Sequence, residues 1–183
     1  MEIFHFFMSL LKIITYGNPT LRKKAKPVQK IDPALRKLAE EMIETMHEAE
    51  GIGLAAPQVG KSVSLFVVDI SPIEESAKPI IFLNNEILEA DGSIPYKEGC
   101  LSIPGISAEV TRPDSIKIRY MDINGKTHEG KADGLLARVI QHETDHVNGK
   151  LFIDYLDDDA LKEFNPILKK LEAKNKKLLA KKS

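Results

Sequence analysis

Residues 142–146 read His-Glu-Thr-Asp-His, and two imidazoles four residues apart constrain the fold of this chain more than any other feature. On an α-helix a four-residue step returns to nearly the same face, so both side chains can reach one divalent cation. Glu143 then stands about 100° round the axis from His142, suited to act on a water rather than to bind the ion. The flanking residues carry a helical pattern. Leu135, Val139, His142 and His146 fall at i, i+4, i+7 and i+11, with Asp133 as a start signal and Asn148-Gly149 as a stop, which predicts a helix over 133–148. The histidines lie on the stripe that faces the core. Catalytic zinc or iron usually takes three protein ligands, so the fold has to bury this helix and bring another segment up to it.

Several places in the sequence offer the third ligand. One metallopeptidase pattern continues His-x-x-Gly-x-x-His, but Phe152 stands where that last histidine would be. Glu163 and Glu172 lie among lysines near the C-terminus, and His128 sits in an alternating segment just past a turn. Cys100 is better placed, in Glu98-Gly99-Cys100-Leu101-Ser102-Ile103-Pro104-Gly105, which its glycines and proline keep from being a regular helix. A thiol beside a divalent cation ionises and binds as thiolate, whereas a lone cysteine without such a partner is most often a small buried hydrophobe. A Cys-His-His set suits zinc or ferrous iron, so ligand softness alone does not choose the metal.

With one cysteine there is no intramolecular disulfide, and 183 residues fit a single catalytic domain over 1–183. A formal net charge of −1 provides no global field for nucleic acid. Charge is uneven locally, with eight lysines against two glutamates between residues 162 and 183. No aromatic residue lies among the lysines from Lys169 onward, so a nucleic-acid contact there would be phosphate electrostatics without base stacking. The first eleven residues are apolar but lack a basic leader and a cleavage site, and Lys12 interrupts them. The expectation is a cytoplasmic chain without a membrane span, in which residues 1–7, and at most 1–10, form a loose extension and Met8 is an alternative start.

Asp32-Pro33 predicts a helix entry, followed by Leu35, Leu38, Met42 and Met46 at helical spacing and an end between 48 and 51. Residues 64–69, 80–83 and 116–120 read as strands, and Asn124-Gly125 as a hairpin turn returning through 126–128. Gly51-Ile52-Gly53-Leu54-Ala55-Ala56 formally matches a dinucleotide fingerprint, but a helical stretch precedes it and Pro57 follows. Its glycines instead permit close backbone approach, and Gln58 is either a donor to a developing oxyanion or a brace for the loop. Asn165-Pro166 predicts a separate last helix over 166–183, with Leu168, Leu171 and Leu178 facing inward. Strands without regular βαβ alternation give an α+β class, with mixed or antiparallel sheets around the central metal-binding helix.

Three segments, Gly51-Ile52-Gly53-Leu54-Ala55-Ala56-Pro57-Gln58, Glu98-Gly99-Cys100-Leu101-Ser102 and Gln141-His142-Glu143-Thr144-Asp145-His146, resemble the signature motifs of peptide deformylases in order and approximate spacing. Ile14-Thr15-Tyr16-Gly17-Asn18-Pro19 and Leu21-Arg22 are similar to that family's start, so the resemblance covers residues 11–155. It implies an α+β fold and removal of the N-formyl group from the initiator methionine of new polypeptides. Cys100, His142 and His146 are implied as ligands of one metal, usually ferrous iron in the family, with zinc, nickel or cobalt as substitutes. Glu143 is implied as general acid/base, Gln58 and the backbone N–H of Leu101 as oxyanion donors, and Gly53 as a backbone contact to the substrate. Beside these, Ile52, Leu135 and Val139 are expected to line an apolar slot for the methionine side chain, and Arg112 to position the substrate. The expected partners are formyl-methionyl nascent peptides and, through the C-terminal lysines, the ribosome, with no specific nucleic acid and no membrane. Two other classes compete: a zinc endopeptidase with a glutamate as third ligand, and a non-catalytic metal-binding or ribosome-associated module.

Overall fold

The computed structural model describes residues 10–181, so the expected extension over 1–7 lies outside the described residues, as does Lys182. Helix α1 (Pro33–Glu48) begins where its cap dictates: the Asp32 carboxylate accepts the Leu35 N–H at 2.9 Å, and Pro33 occupies the first turn. Strands β1 (Gly53–Ala55), β2 (Leu65–Val68) and β3 (Ile80–Asp91) follow. The chain then forms β4 (Ile94–Gly99), β5 (Ser107–Arg112), β6 (Ser115–Met121) and β7 (Thr127–Asp133), and closes with helices α2 (Gly134–Val147) and α3 (Asp158–Ala180).

Five strands make one antiparallel sheet in the order β1-β2-β3-β6-β7, while β4 and β5 pair as a separate ribbon. All four residues of β2 are buried, which explains its unbroken apolar run. Leu65 and Val67 pack with Met42 and Met46 of α1, whereas Phe66 and Val68 pack with Val139 and Ile140 of α2. Helices therefore cover both faces of the sheet, and each such side chain contributes roughly 1.5–3 kcal/mol relative to exposure. The expected strand over 80–83 runs on to Asp91 through a bend, where Asn84 adopts a positive φ of 50° and the register shifts between Leu83 and Glu86. The Asn84 amide closes this bend by bonding both the N–H and the carbonyl of Val28.

Helix α2 agrees with the predicted span to within a residue at each end, although the Asp133 side chain makes no capping bond. Gly149 ends it at φ 76°, where a Cβ would stand 2.8 Å from the Arg22 carbonyl oxygen. The predicted break at Pro166 is corrected by the structure, because α3 runs continuously from Asp158 with Pro166 inside it. An internal proline costs about 3 kcal/mol. Here the Asp157 carboxylate caps the Ala160 N–H at 2.8 Å, and Leu161 and Phe164 before the proline pack into the same cluster as Leu168 and Leu171 after it. Anchoring on both sides holds the helix through the proline. Asn175 is the buried residue of its C-terminal half, bonding Thr15 and the Tyr16 carbonyl, while Leu178 is only half-buried.

Candidate metal centre

Two pieces of chain meet at the site. Helix α2 presents His142 and His146 toward the ribbon, and the turn leaving β4 brings Cys100 to them. The Cys100 Sγ lies 3.3 Å from His146 Nε2, which is 3.2 Å from His142 Nε2. Ligands about 2.0–2.3 Å from a tetrahedral ion sit roughly 3.3–3.6 Å from one another, so this convergence fits a single transition metal. The donor chemistry agrees. His142 Nδ1–H donates to Glu98 Oε2 at 3.0 Å, which reserves Nε2 for an ion, the arrangement a metal-binding histidine requires. His146 is 1% exposed, and its Nδ1 has no hydrogen-bond partner among the described residues.

Glu98 is the electrostatic centre beneath these ligands. Arg112 grips it with Nε at 2.7 Å and Nη2 at 3.1 Å, and Arg138 adds Nη1 at 2.9 Å. Burial alone would raise the Glu98 carboxyl, but the His142 and Arg112 bonds outweigh it and hold the group down at about 2. The remaining Arg112 nitrogen reaches Asp145 at 2.7 Å, whose other oxygen accepts the Tyr155 hydroxyl at 3.0 Å. Two carboxylates and two guanidiniums are thus neutral together in a region with little solvent. Without a bound ion, burial pulls His142 down, yet neighbouring Cys100 and Glu98 hold it well above its ordinary range, while burial and the His142 charge depress His146.

Glu143 points into the space beside Gly53, next to His142 in the same cleft, and is 3% exposed. Burial pushes its carboxyl up to about 7 against the opposing charge of His142. Gln58 is held by a short 3-10 turn (Ala56–Val59), where its Oε1 accepts the Ala55 N–H at 2.8 Å. That bond fixes the amide orientation and turns Nε2 toward Cys100 Sγ at 3.5 Å and Ser102 Oγ at 3.3 Å. A cleft of about 410 Å³ opens over the site, lined by Ile52, Gly53, Leu135, Val139, His142 and Glu143 among others.

The expected metal ligands, acid/base, amide and slot residues are therefore brought together. Arg112 is not. Expected to touch substrate, it is 4% exposed and committed to Glu98 and Asp145, because a guanidinium buried among apolar residues has to find carboxylates. The alternative third ligands fall away as well: His128 pairs with Asp122 at 2.6 Å, and Glu163 and Glu172 are exposed on α3. Arg138 carried no expectation, although a lone charge inside Leu135-Leu136-Ala137-Arg138-Val139-Ile140 is a signal that a buried carboxylate waits nearby.

Gly53 admits Glu143 only because it lacks a side chain, since a Cβ would stand 2.5 Å from Glu143 Oε1 and 2.9 Å from Val139 Cγ1. Gly53→Ala is expected to displace the carboxylate and lower kcat/KM about a hundredfold with metal content unchanged. Metal analysis alongside turnover checks it, and activity within a few-fold of wild type would mean that the close approach is unimportant.

A polypeptide deformylase family model matches residues 10–162. A peptide deformylase of Hydrogenovibrio crunogenus is 54% identical over 149 residues, covering 81% of this chain and 87% of the relative. One from Mesorhizobium japonicum is 45% identical over 167 residues, covering 88% and 95%. Among solved structures, a plant peptide deformylase superposes with a TM-score of 0.86 at 40% identity over 91% of each chain. The Thermus thermophilus enzyme gives 0.85 at 37%, covering 91% and 99%.

Proposed function

The chain belongs to the polypeptide deformylase family, metallohydrolases that remove the N-formyl group from the methionine of new polypeptides, and we propose that Cys100, His142 and His146 hold its one divalent metal. The observation that carries this assignment is the convergence of one thiol and two imidazole nitrogens directly beside a buried glutamate. Ferrous iron is the proposed ion, with zinc, nickel or cobalt as substitutes, since one thiolate and two imidazoles suit each of them. Such an ion supplies Lewis acidity, polarising a carbonyl and acidifying a water.

The protein supplies the rest. Glu143 takes the proton of the attacking water and returns it to the departing amine, so one carboxylate serves both halves of the reaction and formate leaves. Gln58 Nε2–H and the backbone N–H of Leu101 donate to the formyl oxygen as it becomes negative. The Gly53 backbone meets the substrate chain, while Ile52, Leu135 and Val139 receive the methionine side chain in the cleft. Residues 1–183 act as one catalytic domain. No described helix is long and apolar enough to cross a membrane, and the proposed place of action is the cytoplasm, where new polypeptides arise. The exposed lysines of α3, among them Lys169, Lys170, Lys174 and Lys177, are proposed to meet ribosomal phosphate without base readout.

Cys100→Ser tests the ligand assignment, because a hydroxyl binds these ions far more weakly than a thiolate. Formate release from formyl-Met-Ala is expected to fall at least about a hundredfold together with bound metal. Full activity in that variant would refute the Cys-His-His set and mean that the third ligand lies elsewhere.

A further inference from the structure

The β4–β5 ribbon stands apart from the main sheet, yet it carries Glu98, leads directly into Cys100 and forms one wall of the cleft through Tyr96 and Gly99. Leu135 and Val139 of α2 form the facing wall. Whatever fixes the gap between ribbon and helix therefore fixes the width of the space a substrate side chain enters. Two guanidiniums span that gap. Arg112, on β5, reaches Asp145 of α2 and grips Glu98 with two nitrogens, which already neutralises that carboxylate. Arg138, on α2, lies two helical turns before Asp145, about 10 Å along the axis, at the end occupied by Leu135 and Val139.

Arg138 does something Arg112 does not. Besides its bond to Glu98, its Nη1 donates to the Val110 carbonyl at 2.8 Å and its Nη2 to the Ile94 carbonyl at 2.6 Å, so one side chain holds the backbone of both ribbon strands. Tyr96, opposite Val110 in the ribbon, places its ring 5.8 Å from the Arg138 guanidinium carbon, and both residues line the cleft. A planar fork bonded at three points has little freedom to move, and Arg138 is only 5% exposed.

We infer that Arg138 is a specificity-determining residue: by clamping the ribbon to α2 it sets the width of the slot for the substrate's first side chain, while Arg112 secures the ligand end. This rests on the proposed deformylase reading of the cleft. The test measures kcat/KM for formyl-Met-Ala and formyl-Phe-Ala in wild type and in Arg138→Met, which keeps an apolar side chain of similar reach but removes every donor. The preference for methionine over phenylalanine is expected to fall about tenfold in the variant, with metal content unchanged. A general packing role would lower both substrates alike, so a preference within threefold of wild type overturns the inference. Should Arg138→Met fail to fold, Arg138→Gln carries the same comparison with the same criterion. Wild-type protein that releases formate from neither substrate would defeat the functional reading itself, and this inference with it.

Discussion

Glu143→Gln is expected to bind as much metal as the wild-type protein and to lose about a thousandfold or more in kcat. The residue lies beside the ligands but on a different face of α2, so its replacement leaves Cys100, His142 and His146 in place. Glutamine has nearly the same volume and fits the space beside Gly53, so packing changes little. What disappears is a group able to accept a proton and give it back. The loss should appear in kcat more than in KM, because the proton moves in the transition state while ground-state contacts in the cleft persist. Metal analysis with single-turnover kinetics decides the matter, and near-normal turnover with metal bound would remove Glu143 from the proton path.

The second large effect concerns a residue that touches no substrate. Glu98→Gln removes the carboxylate shared by Arg112, Arg138 and His142, leaving two guanidiniums at 4% and 5% exposure short of an anion. Uncompensating a buried charge in this way costs about 3–5 kcal/mol. His142 also loses the acceptor that fixes its tautomer, for which metal affinity should fall about 10–100-fold. Urea unfolding and competition with a chelator read the two consequences separately. Stability within about 1 kcal/mol of wild type would show that the cluster relaxes easily, a smaller cost than a buried network of this kind should carry.

The helix carrying the histidines could be read from the chain because its apolar stripe and its end signals are local properties of residues 133–148. Cys100 could be read by chemistry, since a two-histidine helix needs a third ligand and the other candidates are worse placed. The ribbon that delivers it could not. Ile94-Pro95-Tyr96-Lys97-Glu98-Gly99 lacks alternation, and it is tied to α2 by Arg138, a partner forty residues beyond Glu98 in sequence. Arg112 resembles a substrate contact in the sequence for the same reason, its carboxylates lying 14 and 33 residues away. At Pro166 the local rule was sound but lost to packing by Phe164 and Leu168 on either side of it. A charge inside an apolar stretch, at Arg138, is the one local signal of this cluster, and it points to the buried Glu98 that holds His142.

The central expectation is that deformylation requires one ion held by Cys100, His142 and His146. Its most direct test is a chelator titration of anaerobically purified protein, following bound metal per chain and formate release from formyl-Met-Ala in the same samples. Activity is expected to fall in proportion to metal, from one ion per chain to nothing, and to return when ferrous iron is added. Formate release that persists in the metal-free protein would contradict it.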